Sequence, residues 1–138
     1  MSRILAIDFG QKRVGIAVTD NLKIIATALN TVESAKIWEF LDNYFSKETV
    51  ETIVVGYPLQ MNGKGSDSLR FINPFLGKLT KRYPEKNIVQ FDERFTSKIA
   101  HQTMIDGGMK KKDRQNKAIV DQISAVIILQ DYLMKVSR

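Results

Sequence analysis

The sequence predicts an α/β domain with a mixed five-stranded sheet and helices on its faces. Short apolar runs of strand length recur along the chain, at residues 4–7, 14–19, 52–56 and 87–91. Longer segments between and after them carry apolar residues at the three- and four-residue spacing of amphipathic helices. A chain of 138 residues also has the length of one domain, so residues 1–138 are expected to form a single unit.

The first three predicted strands form a meander. Ile4–Ile7 is apolar at every position, which is typical of a central strand that is covered on both faces. Val14–Thr19 follows a polar turn and is expected to pair with the first strand as an antiparallel hairpin. After a turn at Asp20 and Asn21, Lys23–Thr31 is predicted to be the third strand.

Helices and strands alternate in the rest of the chain. Thr31 or Ser34 is expected to cap the first helix. Pro74 lies inside the second helical segment, which is therefore either kinked there or begins there. Strands that follow a helix are expected to lie parallel to a neighbour. The predicted bounds are a helix to about Ser46, a strand at Thr52–Gly56, a loop over 57–66, a helix from Asp67 to about Tyr83, a strand at Asn87–Phe91, a helix from Thr96 or Ser97 to about Asp106, and a helix from about Arg114 to Lys135.

Three of these helices have predicted apolar faces. In the first helix, the apolar face includes Ile37, Trp38, Phe40, Leu41, Tyr44 and Phe45. In the second helix, the apolar residues are Leu69, Phe71, Ile72, Phe75, Leu76 and Leu79. In the last helix, the residues expected to face the core are Ile119, Ile123, Val126, Ile127 and Leu133.

Composition limits the chemistry that the chain can perform. There is no Cys and only one His, His101, which excludes disulfides, thiolate zinc sites and multi-histidine metal sites. Any bound metal would therefore have oxygen ligands, which favours Mg²⁺ or Mn²⁺. No export signal or membrane span is predicted, so a cytoplasmic protein without a membrane partner is expected.

The chain is strongly basic, with a formal net charge of +6. This charge favours nucleic acid as the partner, and a solvated lysine-rich surface is the alternative interpretation.

Three acidic residues occur in apolar surroundings, where an unpaired charge is costly. Asp8 ends the first strand, Glu93 follows the last strand, and Asp121 lies in the last helix among small and apolar residues. The small neighbours of Asp121 would let its helix approach the strand ends, so that the three carboxylates converge at one edge of the sheet. Such a cluster would bind Mg²⁺ or Mn²⁺ for phosphodiester hydrolysis, with Asp8 shared between two ions. Taken singly, each acid is more often structural than catalytic.

Each of these acids has basic neighbours in the sequence, as expected if a polyanion must approach a carboxylate site. The same residues could instead form solvated loops. The predicted phosphate-contacting residues are Lys12, Arg13, Arg94, Lys110, Lys111, Lys112, Arg114 and Lys117, with Asn62 and Lys64 as weaker candidates.

Four blocks of the chain resemble the YqgF family. They are Asp8–Gly10 with Gly15–Ala17, Gly56–Pro58 with Gly63, Asp92–Arg94 with Thr96 and Ser97, and Asp121–Ala125 with Ile128 and Leu129. The blocks occur in order over nearly the whole chain. One departure is Ser124, which stands with Ala125 where two alanines are common.

This resemblance implies a ribonuclease H-like fold with strand order 3-2-1-4-5. It also implies an acidic triad at Asp8, Glu93 and Asp121, and a nuclease that acts on precursor ribosomal RNA or on four-way DNA junctions. A junction resolvase would act as a homodimer on paired strands, whereas the sequence itself leaves monomer and homodimer open.

Three functions are therefore compared. The leading hypothesis is a metal-dependent endonuclease that matures the 5′ end of the small-subunit ribosomal RNA precursor, with junction resolution as its alternative. A non-catalytic nucleic-acid-binding module of ribosome assembly is the second. Nucleotide hydrolysis as in actin and sugar kinases is the third, and is disfavoured because those proteins use two such domains. No aromatic platform for base stacking is predicted.

Overall fold

The computed structural model describes residues 2–10, 12–57, 69–92 and 117–136, with the side chains of residues 57, 69, 92 and 117–121 excepted. Residues 58–66 of the predicted loop and the predicted helix that ends near Asp106 lie outside these ranges. Tyr57, predicted to begin that loop, is instead the last residue of a strand. The described elements are β1 Arg3–Phe9, β2 Arg13–Thr19, β3 Ala26–Glu33, a 3₁₀ turn Ser34–Lys36, α1 Ile37–Lys47, β4 Val50–Tyr57, α2 Leu69–Arg82, β5 Asn87–Asp92 and α3 Lys117–Val136.

The five strands form one mixed sheet with the order β3-β2-β1-β4-β5. β1 pairs antiparallel with β2 and parallel with β4, while β2–β3 is antiparallel and β4–β5 is parallel. The predicted strand order, the mixed pairing and the central position of β1 are confirmed. Because β1 and β4 are parallel, their carboxyl ends lie at the same edge of the sheet.

Both faces of the sheet are covered by helices, as the unbroken apolar run in β1 predicts. Leu5 and Ile7 lie in a core cluster with residues of α1 and α2. Ile4 and Ala6, which alternate with them, lie in a second cluster with α3. Every side chain from Ile4 to Ile7 is buried.

The third strand begins later than predicted, at Ala26 instead of Lys23. The carboxylate of Asp20 accepts hydrogen bonds from the backbone N–H groups of Ile24 (2.8 Å) and Ile25 (2.9 Å). These bonds, together with a positive φ of 60° at Lys23, hold the segment in a turn. Local bonding by Asp is a known competitor of strand pairing.

The first helix also begins later than predicted, because the 3₁₀ turn precedes it. The N-cap residue of α1 is Lys36, which makes no side-chain capping bond, so the predicted cap at Thr31 or Ser34 is wrong. The Ser34 hydroxyl instead donates a hydrogen bond to the carbonyl of Gly10, which follows β1.

The second helix continues through Pro74, so the alternative in which it begins at that residue is wrong. Its buried side chains are Ile72, Phe75, Leu76 and Leu79. Phe71 is one of the predicted apolar residues of this helix, but its side chain is 40% exposed. Phe71 is one residue away from the buried stripe, where it lies at the solvent boundary.

The last helix contacts the sheet through a face that matches the predicted one only in part, since Val126 and Leu133 pack at the edge of the core cluster. Ala125, Ile128 and Leu129 are fully buried against the sheet. Ile123, Val126 and Leu133 are half-buried, and Ile127 is buried as predicted. Within the described ranges, no helix combines the length and apolar composition needed to span a membrane.

Candidate active site

Asp8 lies at the carboxyl end of β1, on the face of the sheet that α3 covers. It continues the alternation of Ile4 and Ala6, both of which pack in the α3 cluster. Its side chain is half-buried, so the carboxylate is next to the core and still reachable from solvent. Phe9, on the opposite face, packs its ring 4.3 Å from that of Phe75 in α2.

Glycines flank Asp8 on the two neighbouring strands. Gly15 of β2 pairs directly with Asp8. On β4, Gly56 follows Val55, the partner of Ile7, and is itself paired with Phe91 of β5. Both glycines are buried. Because neither has a side chain, neither neighbouring strand places a Cβ atom beside Asp8.

Three alanines allow α3 to lie close to the sheet beside Asp8. Ala6 of β1, Ala17 of β2 and Ala125 of α3 are each fully buried, and all belong to the same cluster. Ala6 and Ala17 are paired partners in the antiparallel ladder. Small side chains on both surfaces permit a short distance between the helix and sheet backbones.

Asp121 lies in α3, four residues before Ala125, and its side chain is outside the described set. Glu93 is also outside the described residues. The structure therefore brings Asp8 and the helix that carries Asp121 to one face of the sheet. The meeting of all three carboxylates stays a prediction.

The turn that follows Asp8 is held by Ser34, which lies 24 residues after Gly10 in the sequence. The Ser34 hydroxyl donates a hydrogen bond to the Gly10 carbonyl at 2.7 Å, and its backbone N–H donates to the Lys12 carbonyl at 2.9 Å. Within the turn, the Gly10 N–H donates to the Arg13 carbonyl at 3.0 Å. Sequence reasoning interpreted Ser34 only as a helix cap, since no local pattern reveals a contact over this separation.

Two of the predicted phosphate-contacting residues, Lys12 and Arg13, follow Asp8 in the sequence, and Arg13 begins the paired strand β2. Lys12 is exposed and Arg13 is half-buried. Lys117 lies in the first turn of α3, without a described side chain. The other candidates lie outside the described residues: Asn62, Lys64, Arg94, Lys110, Lys111, Lys112 and Arg114, together with His101.

The described part of the site fits a divalent cation in its type of donor atom. Asp8 provides a carboxylate, the oxygen ligand that Mg²⁺ and Mn²⁺ prefer, and it lies between two glycines. Among the described side chains, which include Asp8 but not Glu93 or Asp121, no group of three or more acidic or histidine residues is placed to bind a metal.

Comparison with known proteins identifies close relatives over almost the full chain. A protein from Phocaeicola vulgatus, named provisionally as a pre-16S rRNA nuclease, is 58% identical over 133 residues, which cover 96% of each chain. A protein of the same name from Flavobacterium psychrophilum is 56% identical over 135 residues and 98% of each chain.

Solved structures with a similar fold include two that contain junction DNA. One is T. thermophilus RuvC in complex with a Holliday junction substrate, with a TM-score of 0.57, 16% identity, and coverage of 99% of this chain and 96% of that one. The other is the Fowlpox virus resolvase with Holliday junction DNA, with a TM-score of 0.56, 12% identity and coverage of 99% of both chains. At these identities the likeness shows the fold, which is ribonuclease H-like as the resemblance implied.

The family itself is shown by a sequence model. The model described as RuvX, Holliday junction resolvase, matches residues 2–135. This match covers every described strand and nearly all of the last helix, and it agrees with the names of the relatives. The chain is a member of the RuvX family, also called YqgF.

Proposed function

We propose that this protein is a divalent-metal-dependent endonuclease that matures the 5′ end of the small-subunit ribosomal RNA precursor. The observation that carries this proposal is Asp8, a half-buried carboxylate at the end of the central strand with a glycine on each side. A protein that only bound nucleic acid would gain nothing from keeping a carboxylate where a polyanion must approach.

Asp8, Glu93 and Asp121 are proposed as the catalytic and metal-binding residues. Phe91, two residues before Glu93, packs on the α3 face, and residues two apart in a strand share a face. Ala125, four residues after Asp121, is buried against that face, and residues four apart in a helix also share a face. Both periodicities support Glu93 and Asp121 as the partners of Asp8.

Mg²⁺ or Mn²⁺ bound by these carboxylates would supply an activated water and stabilisation of the leaving oxygen. The protein's own contribution is to hold Asp8 rigidly at the strand end, between two glycines. Lys12 and Arg13, together with the basic residues near Glu93 and Asp121, would attract and position the phosphate backbone without selecting a sequence.

The relatives' names favour precursor ribosomal RNA as the substrate. Junction resolution is the second candidate, because the family model is described as a Holliday junction resolvase. A ribonuclease H-like fold accommodates either substrate, and both would be bound through phosphates and shape. We propose that the protein acts in the cytoplasm, because the ribosomal RNA precursor is made there.

The central test is the substitution Asp8→Asn, which keeps the size of the side chain and removes its charge. Cleavage of precursor ribosomal RNA should fall at least about a hundredfold, because a catalytic metal contributes several kcal/mol and each 1.4 kcal/mol is tenfold. Asp131→Asn, an exposed carboxylate further along α3, is the matched control and should cleave like the parent. Chelation of divalent metal ions with EDTA should also stop cleavage by the parent protein, and added Mg²⁺ or Mn²⁺ should restore that cleavage.

Cleavage by Asp8→Asn at the parental rate, with the fold intact by circular dichroism, would refute the assignment of Asp8. The substrate is decided by assaying precursor ribosomal RNA and a four-way junction in parallel, with the mass in solution measured alongside. If the parent cleaves neither substrate, and calorimetry shows that it binds RNA but no Mg²⁺ or Mn²⁺, the non-catalytic ribosome-assembly module is the better description.

A further inference from the structure

The solvent-facing side of α2 carries basic residues near both of its ends. Leu69–Arg82 contains four basic residues and no Asp or Glu, and all four basic side chains are exposed. They are Arg70, Lys78, Lys81 and Arg82. The buried stripe of the same helix is entirely apolar. The charge is therefore concentrated on the outer side of the helix.

Internal contacts account for only part of this charge. Arg82 forms an ion pair with Asp42 of α1, and Lys78 lies 5.2 Å from the ring centre of Trp38. No ion pair is found for Lys81 or Arg70 within the described part of the chain. Like charges three and four residues apart, as at Lys78, Lys81 and Arg82, destabilise an isolated helix by a few tenths of a kcal/mol per pair, roughly. Lys81 and Arg82 lie in the last turn of α2, where the helix dipole stabilises a cation by about 0.3–1 kcal/mol, so folding itself accounts for part of this arrangement.

An aromatic ring is exposed at the first turn of this cationic side. Phe71 is 40% exposed, and the Arg70 guanidinium carbon lies 5.9 Å from the centre of its ring. An exposed aromatic ring beside a guanidinium plane is the combination on which unpaired bases stack in proteins that bind single strands. The sequence showed Phe71 only as one of the apolar residues of this helix, and no stacking platform was predicted.

The amino-terminal half of α2 lies directly behind the strand end that carries Asp8. Phe75, one turn after Phe71, contacts Phe9, the residue next to Asp8. α2 also follows the carboxyl end of β4, at the same edge of the sheet as the end of β1. From Arg70 to Lys81 the helix extends about 16 Å, a length that several nucleotides of a strand can follow.

We propose that the outer side of α2 binds an unpaired nucleic-acid strand that extends from the cleavage site. A base stacks on Phe71 beside Arg70, while Lys78 and Lys81 contact phosphates. This inference rests on the proposed nuclease function and narrows its substrate to one with a single-stranded flank. A continuous duplex would offer phosphates to the lysines but no free base face to Phe71.

The test measures binding in the full-length Asp8→Asn background, so that cleavage does not interfere. Fluorescence anisotropy gives the affinity for a labelled single-stranded RNA and for a blunt RNA duplex of the same sequence, at several salt concentrations. Phe71→Leu should weaken single-strand binding on the order of tenfold, because stacking contributes roughly 1–3 kcal/mol per base. It should leave duplex binding unchanged.

The charge of the surface is tested by Lys81→Glu with Lys47→Glu as its control. Lys47 is the exposed last residue of α1 and lies off the proposed surface, and both substitutions change the net charge equally. Lys81→Glu should weaken single-strand binding and lower the slope of log affinity against log salt by about 0.7, the loss of one phosphate contact. Lys47→Glu should bind like its parent.

If Lys81→Glu and Lys47→Glu weaken single-strand binding equally, the net charge of the protein alone explains the loss of affinity, and the proposal is wrong. The same holds if Phe71→Leu leaves single-strand binding unchanged, or weakens single strand and duplex alike. Urea unfolding of each variant checks that the fold is retained. The nuclease function is read separately from the cleavage assay of Asp8→Asn, so failure of either proposal is recognised without the other.

Discussion

Gly10 closes the turn between β1 and β2 in a space that admits no side chain. A Cβ atom placed on it would lie 2.5 Å from the Arg13 carbonyl oxygen, the same atom that accepts its N–H hydrogen bond. Gly77, in the middle of α2, is the opposite case, because a Cβ atom there would meet nothing within 4 Å. The two glycines thus form a matched pair for substitution by alanine.

We predict opposite effects for Gly10→Ala and Gly77→Ala on the free energy of unfolding. Gly10→Ala should destabilise by about 1–3 kcal/mol, because the turn must open to relieve the clash. Gly77→Ala should stabilise by roughly 0.5–1 kcal/mol, because glycine is unfavourable inside a helix. Urea unfolding of both variants measures this. Destabilisation by Gly77→Ala, or no loss in Gly10→Ala, would contradict the packing described here.

At the scale of single residues, the sequence identified Asp8 as a candidate site residue, because a carboxylate at the end of an unbroken apolar strand is unfavourable without a compensating role. Ser34 was not recognisable, because its bond to Gly10 joins two segments that only the folded chain brings together.

Helix α3 depends on small residues where it contacts the sheet. Ala125 is fully buried and belongs to the same cluster as Ala6 and Ala17, so a larger side chain at this position would push the helix outward. Asp121 is one turn away on the same helix. Any displacement of the helix would therefore alter the placement of a proposed catalytic residue.

We predict that Ala125→Leu lowers the free energy of unfolding by about 1–3 kcal/mol, as overpacked cores do. Cleavage should fall by a larger factor than the loss of folded protein explains, because the helix that carries Asp121 moves. Gln130→Leu, on the exposed side of the same helix, is the control and should change neither quantity strongly. If cleavage by Ala125→Leu falls only in proportion to the loss of folded protein, the position of Asp121 does not matter for the reaction, and its catalytic role is contradicted.

At the scale of elements, the sequence predicted every described strand and helix but placed several boundaries and faces wrongly. Strand β3 begins at Ala26, because the carboxylate of Asp20 holds the preceding residues in a turn. Phe71 is one of the apolar residues of its predicted helix, but its position lies beside the buried stripe and its side chain is exposed. Hydrophobic periodicity identifies an element well, but the packing of its neighbours decides which of its flanking residues are covered.

Helices α1 and α2 are joined on one face of the molecule by a polar network around Asp42. Its carboxylate accepts hydrogen bonds from the Tyr83 hydroxyl at 2.6 Å and from the Arg82 guanidinium. The Arg82 hydrogen bond, followed by that of Tyr83, lowers the pKa of Asp42. Burial, followed by the hydrogen bond to Asp42, raises the pKa of Tyr83 above its usual value.

The raised pKa of Tyr83 predicts a pH dependence for the stability of the whole fold. The phenol has a higher pKa in the folded chain than in the unfolded one, where it is about 10. Its contribution is therefore complete below about pH 10 and is lost as the pH rises above that value. As the pH rises from about 9 to about 11, the free energy of unfolding, measured with urea, should therefore fall less for Tyr83→Phe than for the parent. An equal fall in the free energy of unfolding of the two proteins would contradict the raised pKa of Tyr83.

The sequence by itself determined the kind of protein this is: an α/β domain with one central strand, no thiol chemistry, a basic surface and an acid at the end of β1. These features follow from local periodicity and composition, which a chain carries before it folds. Only the tertiary structure decided that Asp8 and α3 share a face, that Ser34 holds the neighbouring turn, and that Phe71 is exposed on a cationic helix. Each of these depends on contacts between distant segments, and such contacts are set by how whole elements pack together.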